Sequence, residues 1–388
     1  MTSAASGTTG RYLVLLQDDW TGAHRELNRV AGIQAVDSAE AGLAQPLWDA
    51  DGLVMRELGV ALVSADPDQL TALTAAAGEP GPIALVEPER FVHAIAAPAP
   101  AAPAVDETTF TWGLQAVRAP DSTATGAGVR VAVLDTGLDL AHPDLARRTV
   151  TSKSFVQGEE VQDGHGHGTH CVGTSCGPRT PATGPGYGVA FEAEIHAGKV
   201  LSDGGSGADG GILSGISWAI ANGCRVISMS LGAATQPGQP YSRSYERVAR
   251  RALARGTLIV AAAGNESERA QGTVAPVGHP ANCPSVLAVG ALDVSGEIAD
   301  FSCGTVDAIG SVDLVGPGVD VHSSWPLPTR YRRISGTSMA TPHVAGIAAL
   351  IAQATGASGY ELWARLAQTA CRLPLPSTDV GAGLVQAP

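Results

Sequence analysis

The chain has 388 residues, 44% hydrophobic and 16% charged, which is long enough for more than one domain and apolar enough to bury a sizeable core. Twenty-four Lys and Arg stand against 37 Asp and Glu, a net charge of −13, with no basic run and only two lysines, Lys153 and Lys199. That balance excludes a nucleic-acid or anionic-membrane partner from the first expectations.

No stretch approaches the ~18–20 apolar residues needed to cross a bilayer, so no membrane partner is expected. The small, polar start and the short apolar run at 12–16 do not make a secretory signal. The expectation is a cytoplasmic protein by default, or a secreted one if a leader is missing. Six cysteines are too few for a disulfide scaffold in a chain this size, and none form a Cys-x-x-Cys pair, so structural zinc is not expected.

In chain order, residues 11–17 read as a strand, 23–31 as a helix, 53–64 as a longer β-prone stretch, 67–77 as a helix and 83–95 as a final pair of short strands. The order βαββαβ predicts a small α+β, ferredoxin-like module, residues 1–96, with two helices on one face of its sheet. It holds no cluster of reactive side chains and is built to dock. A Pro-Ala-rich linker follows over 97–110, and a second module fills 111–388.

In that second module, apolar runs at 129–134, 195–201, 226–229, 258–263 and 286–289 suit the central strands of a parallel sheet covered on both faces. A helix is expected at 212–221, and Tyr245, Val248, Ala249, Ala252 and Leu253 form one apolar helical stripe. The fold class is therefore α/β, a doubly wound and mostly parallel sheet, with reactive groups at the carboxyl ends of its strands.

Four segments carry chemistry. Asp135 ends an apolar strand in Asp-Thr-Gly, where a fixed carboxylate can orient an imidazole, although an Asp there also serves to cap a helix. The run Asp163-Gly-His165-Gly-His167-Gly-Thr-His170-Cys171 admits two readings. One is a metal site on His165, His167 and His170, similar to the zinc run of metallo-β-lactamase-type hydrolases, though that run has Asp where Thr169 stands. The other makes His167 a general base at a helix N-terminus, with Cys171 one turn below it and His165 and His170 packing locally.

The third segment is the strand 258–263 running into Gly264-Asn265, which can point an amide donor into a crevice. The fourth is Gly336-Thr-Ser338-Met-Ala-Thr-Pro342-His-Val-Ala-Gly346, leading into a buried helix. It places Ser338 at a helix N-terminus, and Pro342 is expected only near that helix's start, where its missing N–H breaks no bond.

Together, from about residue 112 to 371, these segments resemble the subtilisin-like serine peptidases, the subtilase family. The thiol after His-Gly-Thr-His resembles the proteinase K-like branch. The resemblance implies a serine endopeptidase acting through an acyl-enzyme, in which Asp135 orients His167, His167 takes the proton of Ser338, and Asn265 holds the oxyanion with the Ser338 N–H. It implies that Gly205-Ser206-Gly207 and Ser230-Leu231-Gly232 flank an extended peptide or protein substrate. Ala263 and Gly264, with Gly278 opposite, would wall the first specificity pocket, and the lack of charge in those stretches points to an apolar or permissive preference.

The first module resembles the family's inhibitory propeptide, which makes the chain a self-processed zymogen whose own N-terminal module is an intramolecular inhibitor, with the cut in 96–109. No cofactor is required for the chemistry. Asp144 matches a family calcium ligand, but the stretch 177–186 lacks the usual Asn-rich loop, so structural calcium is possible but not expected. Two other functions stand as alternatives, a metal-dependent hydrolase and a non-catalytic protein of the same fold.

Overall fold

The structure, a computed structural model of the chain, describes residues 7–17, 22–38, 51–95 and 105–388. The first module runs β1 (Thr8–Leu16), α1 (Ala23–Ala31), β2 (Ala35–Asp37), β3 (Gly52–Met55), β4 (Val60–Ser64), α2 (Pro67–Ala77) and β5 (Ile83–Ala94). Its sheet has the order β5-β1-β4-β3-β2. The expected βαββαβ order is there, with the short β2 added. The expected pair of closing strands is instead one strand, β5. Pro88 has no N–H to give a ladder, but it falls beside a register shift against β1, where that loss is tolerated. The start of α2 shows why the sequence turns helical there: the Asp66 side chain accepts from the N–H groups of Asp68 and Gln69, and Gln69 reaches back to the N–H of Asp66.

Both faces of this sheet are buried. Val14, Leu16, Val54, Ala61 and Val63 pack on the module's own helix residues Leu27 and Leu73. The alternate residues Leu13, Leu15, Leu53, Val60 and Leu62 belong to a core shared with the second module. A strand with period-two alternation and an apolar residue at every position must be covered on both sides. Here the second cover is the rest of the chain.

The second module contains α3 (Trp112–Ala116), β6 (Arg130–Asp135), β7 (Val150–Ser154), α4 (His167–Cys176), β8 (Glu194–Lys199), β9 (Ser206–Ala208), α5 (Asp209–Ala221), β10 (Val226–Met229), β11 (Leu231–Gly232), α6 (Arg243–Ala254), β12 (Leu258–Ala262), β13 (Leu287–Leu292), β14 (Leu314–Pro317), β15 (Val321–Trp325), β16 (Arg330–Ile334) and α7 (Thr337–Thr355). Seven of the strands form a parallel sheet of order β14-β13-β12-β10-β6-β8-β7; the five expected apolar runs supply β6, β8, β10, β12 and β13, while β7 and the edge strand β14 were not among them. One apolar core includes Cys171 of α4 and Val344 and Ile347 of α7, and the other includes Ile212 of α5 and Tyr245 of α6. Among the described residues no helix is long and apolar enough to cross a membrane. Most of the expected 97–110 linker, residues 97–104, lies outside the described residues, as does residue 96.

One expectation needs correction. Pro342 is not at the start of its helix but sits inside α7, which begins at Thr337. A prolyl nitrogen there cannot bond to the carbonyl four residues back, which is that of Ser338. That carbonyl instead accepts the hydroxyl of Ser230 at 2.7 Å and the thiol of Cys171 at 3.6 Å. The helix survives because side chains replace the missing bond.

Candidate active site

Asp135 ends β6, His167 opens α4 and Ser338 is the second residue of α7, so three distant segments deliver one side chain each to the carboxyl edge of the sheet. The close approach of α4 to the turn after β6 requires glycine at 168: a Cβ there would stand 2.3 Å from the carbonyl oxygen of Gly137. With that approach made, Nδ1 of His167 donates to Oδ1 of Asp135 at 2.7 Å, both side chains 1% exposed. The same carboxylate oxygen accepts the N–H of Thr136 at 2.8 Å.

Thr136 fixes this pair from behind. Its hydroxyl donates to Asp163 at 2.9 Å and accepts the N–H of Gly168 at 2.8 Å, while its carbonyl accepts Nζ of the fully buried Lys199 at 2.6 Å. Asp163 also accepts the N–H groups of His165, Gly166 and Thr169 and the Thr169 hydroxyl, which completes the N-terminus of α4 where Gly166 has no side chain to do so. Sequence reasoning missed Asp163 and Lys199. The signal was available: one of only two lysines falls inside the apolar strand run 195–201, and an acid stands four residues before His167.

Burial alone would push the His167 imidazole down, but the charge and hydrogen bond of Asp135 outweigh it and hold the ring well above 6.5. Cys171 would add to that rise only as a thiolate, and burial pushes its thiol up to about 11. At neutral pH the Asp135 carboxylate is therefore the cause. The thiol lies 3.8 Å from Nδ1 of His167, and Cys171 is unpaired.

Ser338 Oγ donates to the carbonyl of Ser230 at 3.0 Å, and Nε2 of His167 is buried without a partner. Asn265 follows β12. Its Oδ1 accepts both the N–H and the hydroxyl of Thr337 at 2.9 Å, which turns Nδ2 away, buried and unpartnered. The Ser338 N–H sits in the first turn of α7, where helix N–H groups have no acceptor within the helix. Two aimed donors, an unpartnered imidazole nitrogen and a hydroxyl are the parts needed to form and collapse a tetrahedral acyl intermediate.

The expected flanking segments also converge. The end of β5 lies between them: His93 and Val92 pair with Ser206 and Gly207 of β9, and Ala94 and His93 pair with Leu231 and Gly232 of β11. The Ala94 N–H donates to the carbonyl of Gly205 at 2.8 Å, and Ser230 meets Ser338 as described. Ile95 follows. A Cβ on Gly336, whose φ is +151°, would stand 2.9 Å from the Ile95 carbonyl oxygen and 2.9 Å from Nδ2 of Asn265. Gly278 donates to the carbonyl of Ala263 at 2.8 Å, which brings those two pocket residues together. Beside Gly264 stands a carboxylate that the sequence reading did not include, Glu266, which accepts the thiol of Cys303 at 3.1 Å.

The three imidazoles of the His-rich run do not meet on a common point. His170 gives Nε2 to the carbonyl of Val321 at 2.9 Å, and burial depresses it to about 3. His165 is an exposed loop residue with its ring 6.2 Å from that of His167. Asp144 is lined by hydrogen-bond donors. One oxygen accepts the hydroxyls of Tyr187 and Tyr331 at 2.9 and 2.8 Å, and the other accepts the N–H of Ala182 at 3.1 Å.

Fold and site together define a serine hydrolase of the α/β type. A family model described as the subtilase family matches residues 126–383, and the chain belongs to that family. Subtilisin Savinase of Lederbergia lenta is 42% identical over 282 residues, 71% of this chain and 96% of its own length. Subtilisin NAT of Bacillus subtilis subsp. natto is 39% identical over 305 residues, covering 77% and 71%, and Subtilisin E of Bacillus subtilis (strain 168) is 39% identical over 304 residues, with the same coverage. The protein is a serine endopeptidase acting on peptides or proteins.

Proposed function

We propose that Asp135, His167 and Ser338 form the catalytic triad and that the first module is the enzyme's own inhibitor, cut between Ile95 and Ala96. Ser338 Oγ turns from the Ser230 carbonyl to Nε2 of His167 and gives up its proton as it attacks the peptide carbon. Asp135 supports the imidazolium, and Nδ2 of Asn265 with the Ser338 N–H receives the oxyanion. His167 then protonates the leaving amine, and water releases the acyl group by the same steps in reverse. The observation carrying this reading is that the Ile95 carbonyl and Nδ2 of Asn265 border the same point, with Nε2 of His167 buried and unpartnered.

Two carboxylates support the inhibitor reading. Glu87 accepts the Ser242 hydroxyl at 3.0 Å and the N–H groups of Arg243 and Ser244 at the start of α6. Glu89, paired with Arg11, accepts the N–H of Gly210 at the start of α5 at 2.8 Å. Each puts negative charge at the positive end of a helix. The donor-lined Asp144 supports a further reading, that this position is held by hydrogen bonds in place of calcium.

The test is N-terminal sequencing of the active protein alongside Ser338→Ala. A new terminus at Ala96 in wild type, with neither processing nor peptide hydrolysis in the variant, is expected. Hydrolysis unaffected by the substitution would reject the triad, and a terminus elsewhere would reject the cut position. Asn265→Ala should lose about 10²–10³-fold in turnover, the loss known for a subtilisin lacking one oxyanion donor.

A further inference from the structure

We infer that Asp209 forms a distal substrate subsite that grips the backbone of the sixth residue on the N-terminal side of the cut bond. The inference rests on the reading of β5 as a bound substrate strand ending at Ile95. The ladder between β5 and β9 runs His93 to Ser206, Val92 to Gly207 and Phe91 to Ala208. The next residue on each side is Arg90 and Asp209, but Asp209 is the first residue of α5, and the helix takes its backbone out of the ladder. Its side chain continues the pairing: Oδ2 accepts the Arg90 N–H at 2.9 Å. A backbone carbonyl is thus replaced by a carboxylate, a stronger acceptor for the same amide.

The acceptor is held in place before any peptide reaches it. Oδ1 of Asp209 pairs with Nε2 of His279 at 3.1 Å, and that ring packs edge-on to Tyr245 at 4.7 Å. Asp209 and His279 are each 1% exposed under β5, and Nδ1 of His279 has no partner. A peptide with an N–H at this position makes a charge-assisted bond, whereas one without it leaves a covered carboxylate oxygen short of a donor. The subsite reads the backbone and is indifferent to the side chain at that residue.

The test compares two acetylated p-nitroanilides, Ala-Phe-Val-His-Ala-Ile and the same peptide with N-methylalanine first, on full chain allowed to process, with active centres counted by a fluorophosphonate. Wild type should favour the first by about tenfold in kcat/KM, mostly through KM, the preference should fall below about twofold in Asp209→Ala, and Asp209→Asn, which keeps an oxygen acceptor, should fall between. Equal rates on both peptides in wild type, or a full preference surviving in Asp209→Ala, would overturn the subsite while leaving the register of β5 intact. If wild type releases nitroaniline from neither peptide, the register itself fails, and the subsite with it.

Discussion

The hydroxyl of Thr136 accepts the N–H of Gly168 at 2.8 Å, so the residue after Asp135 is tied directly to the residue after His167. The bond that aligns carboxylate and imidazole thus has a second bond behind it, from the backbone just past His167 to the side chain just past Asp135. Thr136→Val keeps the shape and removes the hydroxyl, leaving a buried N–H and Asp163 each short of a partner. We expect kcat to fall by about tenfold or more with KM little changed, on the scale of one or two lost buried hydrogen bonds. Thr136→Ser should restore most of it. Steady-state kinetics on both variants, with the low-field proton signal of the Asp135–His167 bond, checks this; a Thr136→Val enzyme that loses only Tm would show that the hydroxyl serves stability alone.

His167 must be neutral to accept a proton, and Asp135 holds it well above 6.5. The acid limb of kcat/KM should therefore rise with pH through a midpoint above 6.5, giving an alkaline optimum. Departure of β5 returns water to Nε2 and eases desolvation, which moves the midpoint further up. The same shift adds stability that is complete below the unfolded value and fades as pH climbs through the folded one. A pH–rate profile with an acid midpoint below 6.5 would contradict this assignment.

Leu62 belongs to the core shared between the modules and lies against Gly210 at the start of α5. Leu62→Lys puts an ammonium into that contact. The first module, supplied separately to processed enzyme, should inhibit at least about tenfold less well, the cost of burying an apolar side chain lost together with the desolvation of a charge. An inhibition titration measures it directly, and Glu87→Gln should weaken binding by a smaller factor.

Asp144 makes its own test of calcium. A chelator should leave Tm unchanged, and added calcium should not raise it. Tyr331→Phe should cost about 1 kcal/mol, one hydrogen bond to a carboxylate that keeps two other donors. Chelator-sensitive unfolding would show that a cation holds this region after all.

The central strand runs of the parallel sheet were legible because both faces are apolar, and the segments that bring Asp135, His167 and Ser338 together were legible because each couples a strand end or helix start to a reactive residue. What escaped was non-local. Pro342 reads as a helix start until Ser230, 108 positions before Ser338, is seen bonding to the Ser338 carbonyl that the proline frees. Asp209 lies outside the expected helix at 212–221, and its role appears only when β5 pairs beside it; the donors on Asp144 include Tyr187 from a loop and Tyr331 from β16, both far along the chain. None of these partners follows from spacing along the chain.

One strand, β5, serves both the sheet of its own module and the groove of the enzyme, and this couples two properties that would otherwise drift apart. Ile83 near its start points into the module's interior while Val92 near its end is buried in the shared core. Inserting or deleting a single residue in β5 to move the cut would invert every side chain on one side of the change. On the proposed cut after Ile95, a single-residue insertion or deletion thus costs one of the two packed faces, whereas point substitution at positions 90–95 leaves the alternation intact.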